Sequence, residues 1–394
     1  MISKLIVLAV IVLGVVLVAQ LMKLHELSSK LGGKSEAEIS DRHNKMNANL
    51  MIVFILALFA GFIWLMVRFG WTGRGMAASV HGHELDWLYN LNFIIVLAIF
   101  FLTHIVLFYF AFKYVRKDGV KAQFFAHSNK LEMIWTVVPA VVLAVIIIFG
   151  LQIWNNVTAE AAPESIRVEL FSKQFDWTAR YAGEDNTLGK FDYKLTTDDN
   201  ELGLITTNTL DSAIHHMDNG ASGIKALEEK LNDHNLALSP TDRDKMMTDL
   251  DRKGRLIRLL HQMKGRHDAK VDAYAWDDII QKDTLYLCVG KEYEMNFRSK
   301  DVIHSAYFPD FRVQMNTVPG LTTRFKFTPD ITTKDFRKTK NNPDFHFVLM
   351  CNKICGGAHY KMKMTVVVLE ENEYSDWLES REFETFKDKY FASK

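Results

Sequence analysis

Apolar residues are distributed very unevenly along this chain. Four runs, about Leu5 to Met22, Leu50 to Val67, Leu91 to Tyr114 and Leu131 to Trp154, each approach the roughly 20 residues that a bilayer core requires. Each predicts a membrane-spanning helix, and the last two end in the aromatic or basic residues that anchor at the interface. Beyond Asn155 the pattern changes to period two. Ile166, Val168 and Leu170 alternate with Arg167 and Glu169, Phe325 and Phe327 alternate with Arg324 and Lys326, and His346 to Met350 and Met364 to Leu369 are short β-rich runs. Several short strands punctuated by turns predict a β-sandwich.

A polar stretch, about 193–283, interrupts the strand pattern. Ile224, Leu227 and Leu231 are spaced for one helix face, and Ser239-Pro240-Thr241-Asp242 reads as an N-cap followed by proline in the first turn. Met246, Met247, Leu250, Ile257 and Leu260 then fall on or near one side of a second amphipathic run. The stretch is therefore expected to be a helical pair attached to the sandwich. The final segment, about 371–394, sets Tyr374, Trp377, Phe383, Phe386, Tyr390 and Phe391 among charges. That pattern predicts a docking helix, with an ordinary packing helix as the alternative.

Orientation follows from basic residues. The connectors Lys23 to Asn49 and Val115 to Lys130 are basic-rich, whereas Arg68 to Asn90 holds only Arg68 and Arg74. The positive-inside rule places the first two in the cytoplasm and everything after Asn155 outside. Lys4 before an apolar stretch resembles a signal peptide, but no Ala-x-Ala-type cleavage site follows. Four retained spans are expected, giving a membrane domain over 1–155 and an extramembrane domain over 156–394. Lys plus Arg and Asp plus Glu both number 47, a balance that argues against a nucleic-acid partner.

The chemistry is concentrated in Cys351-Asn352-Lys353-Ile354-Cys355-Gly356-Gly357-Ala358-His359-Tyr360-Lys361-Met362. Two thiols, an imidazole and a thioether in one short loop form a soft-metal ligand set, and His304 in Asp301-Val302-Ile303-His304-Ser305 is the candidate second imidazole. Gly356-Gly357 lets the backbone turn tightly between ligands. A zinc site or a disulfide is the plainer alternative. Cys288 reads as a buried structural thiol, and His215-His216 as solvated loop histidines.

Cys-x-x-x-Cys-Gly-x-x-His-x-x-Met, preceded by Asp-Val-x-His-Ser, resembles subunit II of the haem–copper cytochrome c oxidases, as does His127-Ser128-Asn129-Lys130-Leu131-Glu132-Met133-Ile134-Trp135-Thr136-Val137-Val138-Pro139. The resemblance implies a two-helix membrane hairpin, a periplasmic cupredoxin domain and a dinuclear copper centre, CuA, in a bacterial inner membrane. It makes Cys351 and Cys355 bridging thiolates, His304 and His359 terminal imidazoles, Met362 a weak axial ligand and the Lys353 carbonyl the last contact. It puts Glu132 at the mouth of a proton path, for which an interfacial carboxyl complementing a helix N-terminus is the alternative. Its partners would be subunit I, other oxidase subunits, membrane lipid and a c-type cytochrome donor, within a supercomplex or free.

The chain also departs from that family. Phe175, in Gln174-Phe175-Asp176-Trp177, replaces the tryptophan that receives electrons, so acceptance is expected at Phe175 or Trp177 or near His359. Lys353 replaces a glutamate that reaches magnesium, and an ammonium cannot ligate Mg²⁺, which calls that ion into question. The three cysteines offer no Cys-x-x-Cys-His, so no haem is expected on this chain. A quinol-oxidase subunit would lack the copper ligands, and a nitrous oxide reductase would need another catalytic domain. A membrane-anchored copper chaperone or sensor is the alternative from a different class, but it leaves Glu132 and its surrounding motif unexplained.

Overall fold

The computed structural model describes residues 2–31, 41–70, 74–117, 119–233, 236–381 and 384–392, and in the first helix the side chains of 12–28 and 31. The expected position of Phe383 and part of the connector after the first run lie outside the described residues. The chain divides into two compact units, residues 1–73 with 92–138, and residues 74–91 with 139–394.

Four long helices carry the apolar runs: α1 (Ile2–Leu31), α2 (Asp41–Phe69), α3 (Val80–Lys113) and α4 (Asn129–Thr158). Among the described residues α2, α3 and α4 are long and apolar enough to cross a membrane. The chain is therefore membrane-anchored. Within the first unit, Phe59 lies 4.7 Å from Phe101 and Phe54 lies 5.5 Å from Phe108, so aromatic contacts join α2 to α3. Helix α3 starts eleven residues before the expected Leu91, and its first turns belong to the second unit. The reason lies in the backbone around Ser79, which hydrogen-bonds into the sandwich: Ala78 N–H to Asp310 O at 2.8 Å, Val80 N–H to Thr328 O at 3.1 Å and Ser79 Oγ to Phe311 O at 2.7 Å.

The second unit is built on ten strands, β1 (Ile166–Lys173), β2 (Asp176–Tyr181), β3 (Ile279–Lys282), β4 (Thr284–Cys288), β5 (Tyr293–Ser299), β6 (His304–Phe308), β7 (Val313–Thr317), β8 (Thr323–Phe327), β9 (Phe347–Cys351) and β10 (Lys363–Leu369). They form two five-stranded sheets, ordered β3-β2-β1-β5-β8 and β4-β10-β9-β6-β7. β1 runs parallel to β5 and β10 parallel to β4, so the chain crosses between sheets repeatedly, as in a cupredoxin-like sandwich. Alternation sets the inward faces: Phe347, Leu349 and Cys351 of β9 are buried while Val348 and Met350 are only partly so. Phe347 meets Phe311 and Phe336 at 4.7 Å each, and Trp177, Phe297 and Phe308 are fully buried in the same core.

The polar stretch is more than a pair of helices. It holds α5 (Thr207–Asn219), α6 (Ile224–Asn232), α7 (Pro240–Arg266) and the short α8 (Ala273–Trp276), then closes on β3, which joins the first sheet. Ser239 caps α7 as expected, its Oγ accepting from Asp242 N–H at 3.1 Å. Leu260 of α7 is fully buried against Leu195, Leu210 and Ala213, whereas Met247 stays exposed. Helix α5 presents Leu210, Ala213, Ile214 and Met217 at i, i+3, i+4, i+7 toward Leu260, an amphipathic face that was present in the sequence. Its start is set by a reciprocal cap between Thr206 and Thr209.

A further helix, α9 (Thr333–Lys340), went unpredicted although Thr332-x-x-Asp335 is a capping signal. The C-terminal segment forms two helices in place of one, α10 (Glu371–Glu379) and α11 (Phe386–Ala392), and both dock on their own domain. Trp377 stacks 4.8 Å from Tyr286, and Phe386 and Tyr390 pack with Phe171, Leu204 and Ala275.

Four charged side chains are buried together where this insert meets the sandwich. Glu169 receives Arg180 Nη2 at 2.8 Å and Arg298 Nε and Nη2 at 2.7 Å each, and Arg180 Nη1 also donates to Asp278 Oδ2 at 2.5 Å. Arg298 further donates to Leu202 O at 3.0 Å and Arg180 to Gly189 O at 3.0 Å, so the cluster ties β1, β2 and β5 to the insert.

Candidate metal centre

The end of β9, the start of β6 and the loop between β9 and β10 converge on one point. Strand pairing sets Ala306 of β6 opposite Cys351 of β9, which brings His304 beside the thiol across the ladder. His304 Nδ1 lies 3.8 Å from Cys351 Sγ, Cys351 Sγ lies 3.9 Å from Cys355 Sγ, and His359 Nδ1 lies 3.5 Å from Cys355 Sγ. Met362 Sδ is 3.9 Å from Cys355 Sγ, and the Lys353 carbonyl is 3.1 Å from Cys351 Sγ. Every predicted ligand is therefore in one cluster. His304, Cys351 and Cys355 present ligand atoms all within 4.8 Å of one another, while His359 sits at the Cys355 end, beyond that triad. The loop stays tight because Cys351 N–H donates to Met362 O at 3.1 Å and His359 N–H to Gly356 O at 3.2 Å.

Supporting contacts fix the imidazole. Asp301 Oδ1 lies 2.9 Å from His304 Nε2, which leaves Nδ1 facing the thiols. Burial pushes the Asp301 carboxyl up, but His304 and the backbone N–H groups of Gln174 and Val302 outweigh it and hold the carboxyl below the usual range. Asp301 and Gln174 are site residues that ligand-type reasoning passed over; an acid three residues before a candidate ligand His was the available signal.

The donor set suits a soft cation. Burial, with Cys351 beside it, pushes the Cys355 thiol up to about 11, so that thiol keeps its proton until a metal supplies positive charge. His304 and Met362 are almost completely buried and Cys351 and Cys355 nearly so, whereas His359 is half-buried, so the cluster meets solvent at its His359 edge. All three cysteines are free thiols, so the disulfide alternative is not the state of this structure. Paired thiols, two imidazoles and a buried thioether fit copper better than a closed tetrahedral zinc site, which has no use for the thioether.

The remaining predicted positions are dispersed. Phe175 is half-buried and its ring lies over Gly356, where a Cβ would come within 2.9 Å of Phe175 Cζ. Trp177 is fully buried, its ring 6.2 Å from that of His304, so it offers no surface to a docking protein. Lys353 and its neighbour Ile354 are exposed. Glu132 occupies the first turn of α4 and is exposed. His215 and His216 are exposed as expected but lie on helix α5 and not in a loop, and Cys288 is buried as expected.

Helices able to span a membrane ahead of a cupredoxin-like sandwich, with a thiol–imidazole cluster able to hold metal, define a membrane-anchored protein with a candidate metal-binding domain. The family described as cytochrome c oxidase subunit II, transmembrane domain, matches residues 70–153. An alternative cytochrome c oxidase subunit 2 from Bradyrhizobium diazoefficiens is 25% identical over 334 residues, covering 84% of this chain and 91% of that one. Cytochrome c oxidase subunit 2 of Cereibacter sphaeroides is 23% identical, covering 81% and 82% respectively. Among solved structures, the periplasmic domain of subunit II of cytochrome oxidase from Bradyrhizobium japonicum matches at 15% identity and a TM-score of 0.27, covering 56% of this chain and 96% of that one. Over most of its length the chain is similar to cytochrome c oxidase subunit II.

Proposed function

We propose that this chain is the electron-accepting subunit of a bacterial cytochrome c oxidase, taking single electrons from a c-type cytochrome and delivering them to haem in subunit I, where oxygen is reduced and protons are translocated. The observation that carries this reading is the convergence of His304, Cys351, Cys355, His359, Met362 and the Lys353 carbonyl in one cluster, with His304, Cys351, Cys355 and Met362 buried. Bound there, a dinuclear copper centre would share one electron between two ions and so change charge with little rearrangement.

The chain's own residues supply the conditions for that. Cys351 and Cys355 provide the anionic charge, His304 and His359 cap the two ends of the thiol pair, and Met362 closes the buried side. Asp301 holds the His304 ring in one orientation. Phe175, the half-buried ring over Gly356, is where electrons arrive, with Trp177 behind it filling the space beside His304. On this reading the sandwich lies on the periplasmic face of the inner membrane. Glu132, at the opposite end of α4, serves the proton path of subunit I, and Lys353 takes the place of an interfacial magnesium.

Electron paramagnetic resonance of the full chain, purified in detergent and loaded with copper, tests the reading. A mixed-valence signal with one electron coupled to two copper nuclei, lost in Cys351→Ser, is expected. A signal from isolated mononuclear copper in the correctly folded chain would refute it.

A further inference from the structure

Resting on the copper reading above, we propose that Gln174 is the positioning residue of the ligand loop, a single residue whose side-chain amide holds the loop and whose backbone N–H holds Asp301, so that both halves of the ligand set are tied to the turn between β1 and β2. Its side-chain Nε2 donates to the Cys355 carbonyl. Its backbone N–H donates to Asp301 Oδ2 at 2.7 Å, and the other oxygen of that carboxylate lies 2.9 Å from His304 Nε2. The Cys355 thiol and the His304 imidazole come from segments about fifty residues apart, and Gln174 reaches both from a third segment.

Gly356 makes the lock possible. Its φ is +139°, a region that favours glycine, and a Cβ there would come within 2.9 Å of Gln174 Nε2 and 2.9 Å of Phe175 Cζ. The amide and the aromatic ring therefore occupy the space that any other residue would fill. Gly357, next in the chain, meets nothing within 4 Å, so close approach is confined to the position the amide covers.

The physical requirement is one of pre-organisation. A loop carrying Cys355, His359 and Met362 is anchored by β9 and β10 at its ends, and its middle needs a tether if ligand atoms are to stay still when charge changes. Among the described residues Asp301 hydrogen-bonds His304, Val302 and Gln174, and Gln174 in turn hydrogen-bonds the loop at the Cys355 carbonyl. It touches no ligand atom, so it acts through Cys355 and through Asp301. The same turn presents Phe175, so the tether also holds the electron-accepting ring against the loop.

The test is hydrogen–deuterium exchange of the full chain in detergent without copper, paired with paramagnetic resonance after copper loading. In Gln174→Ala, exchange across residues 352–361 is expected to rise about tenfold while the sandwich strands keep their protection; tenfold is the ratio for one hydrogen bond near the upper end of its usual net value. Copper release to a chelator should rise by a similar factor. Gly356→Ala, which displaces the amide while leaving Gln174 in the sequence, should give the same loop-specific rise. If Gln174→Ala loses protection throughout the sandwich, Gln174→Glu, which keeps the length but cannot donate when ionised, decides the matter by the same measurement. Unchanged loop exchange in folded variants overturns the proposal. A wild-type chain without the shared-electron signal, but with loop exchange that still depends on Gln174, would mean that the copper reading has failed and the tether stands.

Discussion

Glu169→Gln should destabilise the extramembrane unit by about 3 kcal/mol. The side chain is buried between Arg180 and Arg298 and accepts four donors, at 3.2 Å and 2.8 Å from Arg180 and at 2.7 Å twice from Arg298. An amide keeps the shape, but it turns one acceptor into a donor facing guanidinium N–H groups and leaves two cations with less compensating charge. Breaking a buried pair by removing one partner costs about 3–5 kcal/mol. A second route agrees. Burial raises the Glu169 carboxyl, but Arg180 and Arg298 outweigh it and hold it at about 2, against an ordinary value of 4.5. That gap, at about 1.4 kcal/mol per pH unit, is roughly 3 kcal/mol.

Asp278 offsets part of the loss. Burial pushes it up to about 7 against the pull of Arg180, and the Glu169 charge adds to that rise. Removing the charge therefore leaves Arg180 freer to satisfy Asp278, which favours the lower end of the range. The sign of the pH dependence follows. A carboxyl depressed in the folded state contributes stability that is complete above about pH 4.5 and lost as pH falls toward 2. Urea unfolding of the full chain in detergent, followed by tryptophan fluorescence, should show the wild type losing stability across that window and Glu169→Gln losing less there, its remaining loss coming from other carboxyls that the fold holds low, Glu201 and Asp301 among them. A loss at neutral pH below about 1 kcal/mol, the size of an exposed pair, would refute the argument that this cluster fastens the insert to the sandwich.

Three other outcomes are expected. Asp301→Asn should weaken copper affinity by about 10- to 100-fold in chelator competition, because the group that orients His304 loses its charge while the ligands remain. Phe347→Ala should cost about 3–5 kcal/mol in the same urea titration, since the ring is fully buried between Phe311 and Phe336 at 4.7 Å from each. Lys353→Glu should restore a hard-cation ligand at the loop, read as bound Mn²⁺ in the assembled oxidase by paramagnetic resonance; the same Mn²⁺ signal in the unmodified oxidase would contradict the reading of Lys353 as the ion's replacement.

Much of this protein was legible because its signals are local. Hydropathy runs fix membrane spans by length alone, period-two alternation fixes strands such as Phe347 to Cys351, and Ser239-Pro240 fixes the start of α7. The candidate ligand types are legible for the same reason, since four of the five candidate side-chain ligands lie within twelve residues of one another. Legibility failed where a partner distant in sequence decides the outcome. Helix α3 begins at Val80 because the preceding segment pairs with residues 310, 311 and 328. β3 is a strand because β2 is there to receive it, and α10 and α11 separate because their aromatic residues find different surfaces of one domain.

The sequence by itself thus determined that the chain enters a membrane, that a sandwich follows, and which side chains carry soft-metal chemistry. The tertiary structure decided that His304 stands 3.8 Å from Cys351, that Trp177 lies inside while Phe175 covers Gly356, and that Gln174 and Asp301 join the ligand segments. Periodicity reports which face of an element is apolar, but a contact between residues 174 and 355 leaves no periodic trace. Only the crossing of strands between two sheets brings such positions together.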